Sequence, residues 1–228
     1  MVEFVIPAPQ SPTVAVEGTE ARFPVRRIYC IGRNYEAHVR EMGGTPERST
    51  PIFFAKPADS VVASGSTIPY PPGTANFHHE IELVVALKGG GADIAPEDAA
   101  ELIFGYAVGV DLTRRDLQAA SAKAGQPWES SKGFDNSAPI SAIRPAASAG
   151  DPQGAIRLTV NGQTRQDALL SSLIWKVPEI IAQISSLWTL QPGDLIFTGT
   201  PEGVGPLVRG DKVEGEIEGV GSLAFTIG

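Results

Sequence analysis

The chain has 228 residues, with 18 Lys and Arg against 26 Asp and Glu and a formal net charge of −8. That balance argues against nucleic acid as a partner. Hydrophobic residues make up 42% of the chain and no apolar run approaches the ~18–20 residues of a membrane span, so a soluble globular protein is expected and a membrane partner is not.

Met1-Val2-Glu3-Phe4 lacks a basic stretch followed by an apolar one, so no secretory signal is expected. The single cysteine, Cys30, cannot form an intrachain disulfide and reads as a buried strand residue, which fits a cytoplasmic protein. With 25 Gly and 19 Pro the chain is punctuated too often for a helical bundle, and short strands and turns are expected.

In chain order, residues 1–24 carry Pro7, Pro9, Pro12 and Pro24 and read as an N-terminal extension with one short strand near Val14. The main domain is expected over 25–228. Residues 27–31 read as a strand, 35–42 as a short helix stopped by Gly43-Gly44, and 51–56 as a strand. Residues 65–73 read as a Pro-rich loop and 80–87 as a buried strand ended by Gly89-Gly90-Gly91. No Gly-Lys-Ser/Thr follows, so that triplet is a turn and not a phosphate loop. A helix is predicted from Pro96, a strand over 103–111 and a second helix over 113–123. A hairpin follows at Asn161-Gly162, then a third helix over 178–187, a strand at 195–198 and a closing hairpin over 211–227. The whole reads as a β-rich α+β fold.

Chemistry concentrates in a few places. On a strand, Glu80 and Glu82 of His78-His79-Glu80-Ile81-Glu82 share a face. Two carboxylates on one face at the start of an apolar strand are either solvated or neutralised by a proton or a hard divalent cation. Asp111, at the end of a buried strand, is either a helix N-cap or a further ligand. His78 and His79 are either ligands or satisfied structural histidines. No H-E-x-x-H spacing or Cys pair is present, which excludes the common zinc sites. His38 and Glu41, three apart on a predicted helix, form either a surface pair or a carboxylate-oriented general base, and Gly43 and Gly44 would let residues 41–51 act as a lid. Arg114 and Arg115 at a helix start oppose the macrodipole and so serve either solvent or a function. Residues 198–205, Thr-Gly-Thr-Pro-Glu-Gly-Val-Gly, offer backbone N–H groups and two hydroxyls to an anion.

Five ordered blocks, taken together, resemble the fumarylacetoacetate hydrolase family over about residues 25–228. They are Gly32-Arg33-Asn34-Tyr35 with His38 and Glu41, the block 78–82, residues 105–118, Ser131-Lys132-Gly133-Phe134, and 198–205. The likeness is strongest to the small acylpyruvate-cleaving members, and Thr113-Arg114-Arg115-Asp116-Leu117-Gln118 points to those acting in gentisate degradation. The resemblance implies a rolled, multi-layered mixed β-sheet with few short helices, and a homodimer. It implies that Glu80, Glu82 and Asp111 bind one Mg²⁺ or Mn²⁺, with Lys132 beside it. It also implies that His38 and Glu41 form a catalytic dyad, and that Arg33, Arg115, Gln118 and Thr200 contact an anionic 2,4-dioxo acid. The larger animal enzymes carry a fourth metal carboxylate, for which no matching block here supplies a candidate. The implied reaction is hydrolysis of the C–C bond of an acylpyruvate such as fumarylpyruvate, giving fumarate and pyruvate. Oxaloacetate decarboxylation, or another enolate-forming lyase or isomerase reaction at the same metal, is the alternative. A non-catalytic metal-binding protein is the third reading. Acyl preference is expected to come from the lid and from loops at Asn76-Phe77 and 124–129.

Overall fold

The computed structural model describes residues 4–46, 48 and 51–228. Residues 47, 49 and 50 of the expected lid lie outside the described residues, as do residues 1–3. The fold is α+β and β-rich. A mixed eight-stranded sheet runs in the order Ile52–Lys56, Arg27–Gly32, Asp194–Phe197, Ile81–Leu87, Ile103–Val110, Ala138–Ile140 and Val61–Ala63, with Arg144–Pro145 also on Ile103–Val110. A five-stranded sheet, Gln163–Leu169, Ala155–Val160, Lys212–Ile217, Gly221–Ile227 and Thr67–Ile68, packs against it.

Strand Ile81–Leu87 shows why the layers stack. Its odd residues Ile81, Leu83, Val85 and Leu87 join the core shared with Ile156, Leu158, Val213, Ile217 and Phe225 of the second sheet. Its even residues Val84 and Ala86 face a second apolar cluster with Ile28, Cys30, Leu195 and Phe197. A strand buried on both faces needs an unbroken apolar run, which is what the sequence carries there. Cys30 is fully buried, and that burial pushes its thiol pKa well up.

The N-terminal segment forms a hairpin, Thr13–Ala15 with Arg22–Pro24, whose Val14, Val16 and Phe23 cover the second cluster. Backbone bonds between Glu17 N–H and Ile143 C=O (2.9 Å) and between Ile143 N–H and Ala15 C=O (2.8 Å) fasten it.

Most predicted elements form, with shifted edges: helices Glu36–Glu41, Arg115–Ala124 and Val177–Ser185, and the two hairpins. Residues 96–102 coil as a 3₁₀ turn. The helix predicted from residue 113 starts only at Arg115. Thr113 and Arg114 are drawn instead into a three-stranded ribbon with Phe77–His79 and Gly205–Pro206.

Topology gathers the site. The start of Ile81–Leu87 lies beside the end of the antiparallel strand Ile103–Val110, with Ile81 opposite Val110. The ends of Asp194–Phe197 and Arg27–Gly32, which are parallel to each other, emerge at the same end of the sheet. Four chain segments separated by up to about 170 residues therefore deliver side chains to one rim.

Candidate active site

A cleft of about 230 Å³ opens at that rim, lined among others by Arg33, His38, Glu80, Glu82, Asp111 and Arg115. Gln118, Lys132 and Thr200, with the aromatic rings of Phe54 and Trp128, complete its polar and aromatic wall. All ten residues expected to form the site line it except Glu41, which stands behind His38.

Glu80, Glu82 and Asp111 are buried and place one carboxylate oxygen each within 4.8 Å of the others. Among the described residues they are the only such group of three or more His, Cys, Asp or Glu side chains. Lys132 bridges Glu80 Oε2 (2.8 Å) and Asp111 Oδ2 (2.6 Å), and its third proton goes to the Thr113 hydroxyl at 2.7 Å. Arg115 pairs with the other Glu80 oxygen and with the Gln118 side-chain carbonyl. Burial alone would lift the Glu80 carboxyl, but Lys132 and Arg115 hold it below the usual carboxylate range. Glu82 has no such cation in contact. Burial, with the charges of Asp111 and Glu80, pushes its carboxyl well up although the Gly199 N–H bonds it at 2.7 Å. Burial would depress the Lys132 ammonium, but Asp111 and Glu80 keep it above the usual lysine value.

Asp111 caps no helix. Its carboxylate is held in the cluster, and the helix that follows starts from Arg114 without a side-chain cap. Its Oδ1 is fully buried and lacks a hydrogen bond, although Lys56 Nζ lies 2.9 Å away out of hydrogen-bond geometry. An all-oxygen donor set with one buried oxygen left unbonded, and a carboxyl whose charge burial opposes, fits a hard divalent cation such as Mg²⁺ or Mn²⁺.

The Arg27–Gly32 strand exits through a left-handed turn at Arg33 (φ 60°), which feeds the helix Glu36–Glu41. The turn is stapled by Asn34, whose side chain bonds the Thr198 carbonyl (2.8 Å) and both backbone groups of Trp175. His38 is thereby set at the cleft with Nδ1 3.0 Å from Glu41 Oε2. The carboxylate makes Nδ1 the protonated nitrogen and leaves the Nε2 lone pair available.

Residues 198–205 do receive anions, but the protein's own: Gly199 N–H serves Glu82 and Gly203 N–H serves Glu41. Thr198 donates its hydroxyl to the Leu83 carbonyl at 2.9 Å, so of the two expected hydroxyls only that of Thr200 serves the cleft.

His78 and His79 stand outside the carboxylate group. His78 bonds Asn76, and burial with Arg115 pushes its pKa down to about 4. His79 bonds Gln166 and is lowered by burial. Arg114 stacks on Phe134 at 4.3 Å while Arg115 turns inward. Of the expected selectivity loops, Trp128 lines the cleft, whereas Phe77 is in the core against Tyr70 and Phe134.

Sequence reasoning passed over Lys56 and Gln166. A lysine closing the aromatic strand Ile52–Lys56 is the one local signal for the first. No sequence signal distinguishes Gln166.

The sequence profile described as "Fumarylacetoacetate (FAA) hydrolase C-terminal" matches residues 27–228. The chain belongs to the fumarylacetoacetate hydrolase family. Within this family the chain is 48% identical over 177 residues to a fumarylpyruvate hydrolase of Ralstonia sp, covering 78% of this chain and 92% of that one. It is 42% identical over 202 residues to a mitochondrial oxaloacetate tautomerase of Arabidopsis thaliana, covering 88% and 90%. The fumarylpyruvate hydrolase of Pseudomonas aeruginosa, solved in complex with Mn²⁺ and pyruvate, superposes with a TM-score of 0.96 at 49% identity over 99% of each chain.

Proposed function

We propose that the protein is a metal-dependent hydrolase of the C–C bond of a 2,4-dioxo acid, with fumarylpyruvate as substrate and fumarate and pyruvate as products. The observation that carries this reading is the meeting, in one cleft, of the Glu80–Glu82–Asp111 cluster and the carboxylate-backed imidazole of His38. The high identity to a fumarylpyruvate hydrolase over nearly all of that enzyme supports the substrate.

Glu80, Glu82 and Asp111 hold one Mg²⁺ or Mn²⁺. That cation, when bound, supplies Lewis acidity toward the oxo oxygens of the substrate. Charge supports the pairing. Three buried carboxylates face three buried cations, Lys56, Lys132 and Arg115, so a divalent cation leaves two positive charges for a substrate with two carboxylates.

His38 removes a proton from water through Nε2, with Glu41 holding Nδ1–H and stabilising the imidazolium. The water oxygen bonds to C4, and the C3–C4 bonding pair departs with the pyruvate fragment. The proton held on His38 then returns to C3, so water is divided between the two products. Arg33, Arg115, Gln118 and Thr200 orient the substrate's carboxylate and oxo groups. Lys132 has all three protons engaged, so it reaches a reacting oxygen only by exchanging one of those bonds.

Residues 25–228 form the catalytic domain and 1–24 an N-terminal extension, whose hairpin Thr13–Ala15 with Arg22–Pro24 packs on that domain. The family resemblance supports a homodimer. The unpaired, buried Cys30 supports a cytoplasmic location. Among the described residues no helix is long and apolar enough to cross a membrane.

A second reading is favoured by the tautomerase relative. The same base moves a proton between carbon and oxygen of oxaloacetate without adding water. Purified protein loaded with Mn²⁺ and mixed with fumarylpyruvate separates the two. Metal-dependent loss of enol absorbance, abolished by EDTA, with equal fumarate and pyruvate, is expected. Inert fumarylpyruvate with fast interconversion of oxaloacetate tautomers would replace the hydrolase reading by the second.

A further inference from the structure

Gln166 lies on strand Gln163–Leu169 of the second sheet, fully buried and behind the cleft wall. Its side chain has four partners. Oε1 accepts from the backbone N–H of Ile81 and from His79 Nδ1, both at 3.0 Å. Nε2 donates to the Pro201 carbonyl at 2.9 Å and to Thr200 Oγ1 at 2.8 Å.

Two of these partners are backbone groups whose roles cannot change. The Ile81 N–H only donates and the Pro201 carbonyl only accepts, so the amide has one orientation. The side-chain roles follow from it. His79 carries its proton on Nδ1, and Thr200 Oγ1 accepts. A hydroxyl has one proton and two lone pairs, and Thr200 Oγ1 meets no acceptor among the described residues. Thr200 lines the cleft, so its proton is left for an oxygen bound there.

We propose that Gln166 is a positioning residue that commits the Thr200 hydroxyl to donate to a carboxylate or oxo oxygen of the bound 2-oxo acid. The nature of that ligand rests on the function proposed above. With Gln166 donating to Thr200, the hydroxyl proton cannot be used on Gln166 and is left for an anionic or carbonyl oxygen in the cleft. Gln166 also joins residues 79–81, which precede and start the ligand strand, to the 200–201 loop, so the metal cluster and the Thr200 donor share one fixed reference.

The test is a cycle of Gln166→Glu, Thr200→Val and the double variant, all loaded with Mn²⁺. A carboxylate at 166 keeps both acceptor bonds but offers Thr200 an acceptor, so the hydroxyl proton turns away from the cleft. Losing a hydrogen bond to a charged oxygen weakens binding by about tenfold or more. The KM for fumarylpyruvate and the dissociation constant of pyruvate, read by calorimetry, should therefore rise by that factor with kcat changed far less. In the Thr200→Val background the same change at 166 should add nothing. Losses that multiply, or an unchanged KM and pyruvate affinity in Gln166→Glu, would overturn the proposal.

If Gln166→Glu shows no cooperative melting transition, Gln166→Met takes its place in the cycle. It releases Thr200 without offering it a strong acceptor, so a rise in KM smaller than that of Thr200→Val, and absent in the Thr200→Val background, is expected. An equal rise in both backgrounds would overturn the proposal. Should the wild type bind pyruvate yet leave fumarylpyruvate intact, the hydrolase reading fails while the pyruvate cycle still decides the role of Gln166. A wild type that binds no pyruvate overturns both.

Discussion

The Glu41 carboxylate accepts the backbone N–H of Gly203 at 2.9 Å, which ties the helix carrying His38 to the loop carrying Thr200. Its other oxygen faces His38 Nδ1. One side chain thus sets both the tautomer of the imidazole and the spacing between two walls of the cleft. A carboxylate can do both because each oxygen is an acceptor, and an amide cannot.

Glu41→Gln separates these two tasks. The amide oxygen can still accept from Gly203, but the amide nitrogen then meets His38 Nδ1 as a donor. The imidazole must take its proton on Nε2, and the base proposed for His38 loses its lone pair there. The kcat for fumarylpyruvate should fall by about 10²–10⁴-fold with little change in KM, the range seen when a base loses its orienting carboxylate. Steady-state kinetics at saturating Mn²⁺ checks this. A kcat within threefold of wild type would show that Glu41 does not orient the base.

Gly203→Ala attacks the same contact from the other side. Gly203 has φ 89°, and a Cβ built there collides with the Arg165 carbonyl oxygen. Both the left-handed backbone and the contact with main chain force the loop to move, at a cost of about 2 kcal/mol or more. The Glu41 bond is lost with that movement. Melting temperature and kcat should drop together. A variant with unchanged melting temperature and full activity would show that the loop position does not matter to the dyad.

Much of this was legible in the sequence because the chemistry sits on strongly patterned segments. The apolar run 81–87 announces a strand buried on both faces, and that places Glu80 and Glu82 at its start. His38 and Glu41 are local, so helical spacing alone pairs them. What stayed hidden depends on distant partners. The single turn Glu129–Lys132 that buries the Lys132 ammonium, and the three-residue strand Phe77–His79, are too short to show a period and are fixed by tertiary pairing. The backbone N–H groups of 198–205 looked available to a ligand because nothing local reveals that Glu82 and Glu41, more than a hundred residues away, already occupy two of them.

Lys132→Met tests the charge balance of the cluster. Without its ammonium, Glu80 and Asp111 lose a shared partner at 2.8 and 2.6 Å in a buried site. Leaving buried charge unpaired costs about 3 kcal/mol or more. A divalent cation at the three carboxylates compensates for the lost charge and binds only the folded state. The variant should melt well below wild type in EDTA, and Mn²⁺ should raise its melting temperature more than it raises that of the wild type. An equal Mn²⁺ shift in both proteins would mean that Lys132 does not neutralise the metal carboxylates.

Arg26→Met gives a stability effect with a defined pH sign, far from the cleft. Asp194 starts the strand beside Arg27–Gly32, and its side chain is fully buried against Arg26 at 3.1 Å. Burial raises its carboxyl above the ordinary aspartate value, although the Gln191 N–H and the Arg26 guanidinium oppose the rise. The folded protein therefore binds this proton more readily than the unfolded chain, and stability falls as pH rises from the unfolded toward the folded pKa of Asp194. Removing Arg26 raises the folded value further, so the decline becomes larger and extends to higher pH. Discounted for the partly exposed arginine, the variant should be about 2 kcal/mol less stable than wild type near about pH 8. The gap should close at acid pH below the folded pKa of Asp194, where the carboxyl is protonated in both proteins. Urea unfolding at the two pH values measures it. A deficit of the same size at both would locate the effect in lost packing of the Arg26 side chain and not in the Asp194 charge.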